Sequence, residues 1–95
     1  MAEVVHLTKQ PSESKVYSFS FSGQLRTSDT IASVTSISSD TVGLTIGAAS
    51  TDGTSLAQAR ISGGTSEVNY RLTCIVATTL LDTLEIDGDL YVFDF

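Results

Sequence analysis

The chain has 95 residues, 11 acidic against 5 basic, for a formal net charge of -6, with 41% hydrophobic and 17% charged residues. That length holds one hydrophobic core and not two, and so much apolar content with so little charge is not that of a disordered chain. Lys9, Lys15, Arg26, Arg60 and Arg71 are spread singly, which argues against nucleic acid and anionic membranes, since both need a clustered positive face.

The opening Met1-Ala2-Glu3-Val4-Val5 has neither the positive start nor the apolar core of a signal peptide. No apolar run approaches the ~20 residues of a membrane helix. The expectation is a soluble protein made in a cytoplasm. Serine and threonine exceed a quarter of the residues and alternate with aliphatics and aromatics, which is strand chemistry. The first strand is expected over residues 4–8. Residues 1–11, ending at Pro11, read as an N-terminal arm or edge strand. Two fates are open for it: pairing with a neighbouring subunit, or pairing with the other chain end inside one sandwich.

Over residues 15–21, Tyr17, Phe19 and Phe21 fall on one face and Ser18 and Ser20 on the other, so one face is core and the other is wet or covered by a partner. Further strands are expected at 31–38, 44–48, 56–62, 68–78 and 84–93, about seven in all. Ser22-Gly23, Ser39-Asp40, Asp52-Gly53, Gly63-Gly64 and Asp87-Gly88 are read as turns or bulges between or within them. No segment has the period of an amphipathic helix. Short strands at this cadence predict a single all-β sandwich or barrel domain over residues 1–95.

In the longest run, Val68, Tyr70, Leu72, Cys74 and Val76 share a face, with Asn69, Arg71 and Thr73 opposite, as in a central strand. Tyr70 follows the loop 63–67, a placement similar to the tyrosine corner of immunoglobulin-like sandwiches, where the phenol bonds back to loop backbone. Leu72 stands where an antibody domain has its second disulfide cysteine, and the chain has no Trp.

No catalytic, cofactor-binding or metal-ligating residues are expected. Cys74 is the only cysteine and His6 the only histidine, with no signature linking them, so Cys74 reads as a buried core residue rather than a reactive thiol, and no serine-elbow pattern follows His6. One His and one Cys cannot make a structural zinc site. Asp82, Glu85, Asp87 and Asp89 lack the twelve-residue calcium-loop pattern, and a hairpin turn at Asp87-Gly88-Asp89 is expected instead. With Asp94 they form either a solvated acidic edge or a complement to a basic partner. Gly63-Gly64-Thr65 lacks the lysine and spacing of a phosphate loop.

The stretch Leu7-Thr8-Lys9-Gln10-Pro11-Ser12-Glu13-Ser14, then Tyr17-Ser18-Phe19-Ser20-Phe21, Leu25, Thr30-Ile31-Ala32-Ser33-Val34, Ile61-Ser62-Gly63-Gly64-Thr65 and Tyr70-Arg71-Leu72-Thr73 together resemble a family of small structural proteins of tailed bacteriophages and prophages, some of them fibre-to-tail adaptors. The resemblance covers nearly the whole chain. It implies an immunoglobulin-like β-sandwich without catalytic residues, located in the virion and made in the host bacterial cytoplasm. Its implied partners are other virion proteins of the tail, neck, fibre or capsid, met in several symmetric copies, with no nucleic acid and no membrane. An adaptor at the neck, tail or fibre junction and a capsid decoration protein are the two structural roles it offers; a glycan- or receptor-binding module ranks below them, because Tyr17, Phe19 and Phe21 are claimed by the core and Tyr91 is the one obvious spare aromatic. The sequence departs from relatives after Thr78, where they often carry a Gly-containing turn and this chain has Thr79-Leu80-Leu81-Asp82. Exposed leucines there suit a contact surface. The aromatic end Tyr91-Val92-Phe93-Asp94-Phe95 is expected to bury Phe95 in its own core or in a partner.

Overall fold

The computed structural model describes residues 3–94, with side chains from residue 7 onward. Phe95 and the His6 side chain lie outside that description. The described residues form eight strands and no helix: β1 Glu3–Lys9, β2 Lys15–Ser20, β3 Ile31–Ser39, β4 Leu44–Ile46, β5 Ser50–Thr51, β6 Leu56–Gly63, β7 Val68–Thr78 and β8 Thr83–Val92. They make two facing sheets, one in the order β1-β8-β7-β3 and one in the order β2-β6-β4, with β5 also paired to β6. The all-β sandwich expected from the alternation is the architecture found.

The core is built from strand parity. Tyr70, Leu72, Cys74 and Val76 of β7 and Ile86, Leu90 and Val92 of β8 are buried from the first sheet, against Tyr17 and Phe19 of β2, Phe21 just beyond it and Ile61 of β6 from the second. Register fits size to size: Tyr17 lies beside Ala59 and Phe19 beside Ala57, so small side chains make room for the rings. Each such ring contributes about 1.5–3 kcal/mol by leaving water.

Two expectations need correction. Eight strands are present rather than about seven, because the run expected over 44–48 ends at Ile46 and the chain re-joins β6 briefly as β5. Asp87-Gly88-Asp89 is not a hairpin turn. It lies in the middle of β8, with Gly88 opposite Leu72 on one side and Val5 on the other. The turn preference of an Asp-Gly pair is outweighed by ladder bonds to both neighbours, and the reversal falls instead at residues 78–82.

The edges differ in regularity. β1 lies at one edge of the first sheet, paired in parallel with β8. β3, at the other edge, has register shifts between Ile31 and Ser33 and between Val34 and Ser36, irregularities that blunt an edge against further pairing.

Candidate contact surface at the β7–β8 turn

One end of the sandwich gathers the β1–β2, β3–β4 and β6–β7 connections and is densely packed. Lys9 shares the inward face of β1 with Leu7 and is 1% exposed. Its ammonium donates to the carbonyls of Gln10 (2.7 Å), Pro11 (3.3 Å) and Gly63, tying β1 to the opposite sheet. Burial pulls its pKa below the usual lysine value, with the Glu13 charge pulling the other way. Tyr17 makes a second tie, donating to the Thr8 carbonyl at 2.9 Å. The Tyr70 hydroxyl accepts from the Thr65 N–H at 2.9 Å, the back-bond to loop backbone expected from its position. Gly43 (φ 126°) makes room for that phenol, since a Cβ there would sit 2.9 Å from its oxygen.

The opposite end is organised around the tight turn between β7 and β8. Thr78 N–H donates to Asp82 O (2.8 Å) and Leu81 N–H to Thr78 O (3.0 Å), while the Thr78 hydroxyl accepts from Asp82 N–H (2.9 Å). Leu81 has φ 69°, the left-handed conformation that hairpins of this kind ordinarily assign to glycine. A leucine therefore holds the strained position of this turn.

The segment between β2 and β3 clamps this turn from the side. Arg26 holds the Asp82 carboxylate through Nε (2.7 Å) and Nη2 (3.3 Å) and also donates to Leu80 O (3.1 Å). Asp29 Oδ1 accepts from the N–H groups of Leu80 (3.0 Å) and Thr30 (2.8 Å). Thr79 is tied to Thr30 by backbone and by hydroxyl, both at 2.9 Å. Burial pushes the Asp29 carboxyl up, but the Thr78 hydroxyl, the Leu80 and Thr30 amides and the Arg26 charge outweigh it and hold it below the ordinary carboxylate value. Asp29 Oδ2 is buried without a hydrogen-bond partner.

With its backbone fixed in this way, the turn presents apolar side chains to solvent: Leu80 is 45% and Leu81 91% exposed. Beside them the Arg26–Asp82 pair is itself half-exposed. An apolar centre with a charged rim is the anatomy of a protein-contact patch, and the leucines at this loop are exposed as the sequence suggested.

Cys74 is buried in the core and its thiol is pushed up to about 12 by burial, so it stays protonated and inert. Asp87 accepts from the Thr73 hydroxyl and Asp89 pairs with Arg71, while Glu85 is exposed. Among the described residues no group of three or more His, Cys, Asp or Glu is placed to hold a metal ion. Asp52 is held below the ordinary carboxylate value because its Oδ1 caps the Leu56, Thr54 and Ser55 amides. Tyr91 stacks on Phe93 with ring centroids 5.8 Å apart, so the spare aromatic is half-paired on the outer face of β8.

Residues 9–87 match the family model of the podophage GP4 fiber-tail adaptor protein gp77. The chain belongs to that family. The matched span opens at the buried Lys9 and closes in the middle of β8, so it contains both the caged ammonium and the clamped leucine turn of this gp77-family chain. No curated protein matches the chain.

The roles of Arg26 and Asp29 were not legible in the sequence, since each stands alone in a polar loop and its partner is more than fifty positions away. Lys9 carried a signal: it shares parity with Leu7, placing it on the inward face.

Proposed function

We propose that this chain is a non-enzymatic structural adaptor of a phage virion, joining tail and fibre through protein–protein contacts, with the Leu80–Leu81 turn as one of its docking points. Membership of a fibre-tail adaptor family supports the role. The observation that carries the docking point is Leu81: an exposed leucine in a glycine conformation on a backbone clamped by Arg26, Asp29 and Thr30. Strain of this kind persists only where surrounding bonds over-determine it, and it gathers at functional sites. A fixed turn docks without first losing backbone freedom.

The electrostatics support a protein partner over a polyanion. Each of the five cations is engaged within the chain: Lys9 with carbonyls, Arg26 with Asp82, Arg71 with Asp89, Arg60 with Ser14, and Lys15 over the Tyr17 ring. Several symmetric copies at the tail or neck fit a domain of this size.

The test is complementation of a phage lacking the gene with a Leu80→Asp, Leu81→Asp double variant. The expected outcome is tails without fibres, from a chain whose purified form melts as the wild type does. Particles with a full set of fibres would refute the docking point.

A further inference from the structure

β2 is the regular free edge of the second sheet. It pairs with β6 alone, in unbroken register from Lys15↔Ile61 to Ser20↔Leu56. Just past its end, Phe21 N–H donates to Ser55 O at 2.8 Å, which continues the same register and fixes its phase. In an antiparallel ladder a residue's N–H and C=O point to the same side and alternate along the strand. The backbone groups of Tyr17 and Phe19 therefore face β6, and those of Val16, Ser18 and Ser20 face outward, away from the sheet. The side chains of these three are also exposed, with Val16 48% exposed. No proline, bulge or mid-strand charge protects this edge, in contrast to the shifted register of β3 and the interruption between β4 and β5.

We infer that β2 pairs with β2 of a second copy of this chain, antiparallel about a two-fold axis at Ser18, joining the two second sheets into one. The choice of a second copy rests on self-complementarity and charge. With Ser18 opposite Ser18 of the second copy, Val16 falls opposite Ser20, so all outward backbone groups are satisfied by about six new hydrogen bonds. Tyr17 falls opposite Phe19 on the core face, which keeps each sheet face continuous across the junction. Lys15, the strand's one charge, falls opposite Phe21, so no like charges meet. The chain carries a net charge of -6, yet Asp82, Glu85, Asp87 and Asp89 all lie on β8 or its turn in the other sheet. An isologous contact of this kind closes on itself as a dimer.

This inference does not depend on the adaptor reading, and its test uses the purified chain with no tail or fibre present. Sedimentation equilibrium from micromolar to millimolar protein is expected to show a reversible monomer–dimer equilibrium. Ser18→Pro removes an outward N–H that β6 does not use, so the fold tolerates it, and it weakens the dimer by at least about tenfold. Ser18→Lys sets two ammonium groups opposite each other only in the dimer, and its weakening is relieved by added salt. Should Ser18→Pro disturb the fold, seen as an altered circular dichroism spectrum, Ser18→Lys reads the same contact alone. A wild type that stays monomeric throughout would overturn the inference, including the case in which β2 takes up a strand of another virion protein. So would a dimer that persists undiminished in Ser18→Lys.

Discussion

The two ends of this sandwich solve the same problem in opposite ways. Both must hold irregular connections over a shared core, and both use one long polar side chain to do it, Lys9 at one end and Arg26 at the other. At the Lys9 end the tie is buried, the positive φ values fall on Gly43, Gly63, Gly64 and the polar Glu67, and the Tyr70 ring fills the space. At the Arg26 end the tie is half-exposed and a leucine, not a glycine, takes the left-handed position. The first end is built to stay folded. The second spends some of that stability on a fixed apolar turn, the trade expected where a surface has a use beyond the fold.

The largest effect expected is at the packed end. Tyr70→Ala removes a fully buried ring and costs about 3–5 kcal/mol, measured by chemical denaturation; an unchanged midpoint would break the claim that this end carries the fold. Lys9→Met keeps the apolar stem but leaves the carbonyls of Gln10, Pro11 and Gly63 without their donor, and is expected to cost about 2–3 kcal/mol. At the open end the sign reverses. Leu81→Gly relieves the left-handed strain and is expected to raise stability by about 0.5–1 kcal/mol while weakening attachment, so thermal melting and fibre loading should move in opposite directions. A leucine variant that lost both would make this end an ordinary part of the fold.

Acid sharpens the contrast on a smaller scale. The Asp29 carboxyl is held below its ordinary value of 3.8, so its contribution is fully present above that pH and is lost as pH falls through the lower folded value. Lys9 keeps its proton throughout that range. Amide exchange below about pH 4 is therefore expected to quicken first at Leu80 and Thr30, whose amides Asp29 accepts, and later at Thr65, whose partner is the Tyr70 hydroxyl. Asn in place of Asp29 should abolish that order.

The legible parts of this molecule were those governed by strand parity. Tyr17, Phe19 and Phe21, and Tyr70 through Val76, declared their buried face by alternation, and Tyr70 declared its back-bond by following a glycine loop. What local pattern could not declare was set by partners distant in sequence. Asp87-Gly88 has the letters of a turn, but Val5 and Leu72 on either side hold it straight. The five-residue reversal at 78–82 has no such letters, and its shape is fixed by Arg26 and Asp29 from another loop. The exposed leucines were visible in the sequence; the clamp that makes them a surface was not.

The central claim is that the clamped leucine turn meets another virion protein. Cryo-electron microscopy of the phage that encodes this chain tests it most directly. The account predicts density for the sandwich at the tail–fibre junction, with residues 79–82 buried against a neighbouring protein. A particle in which that turn faces solvent, or which lacks the chain altogether, would contradict it.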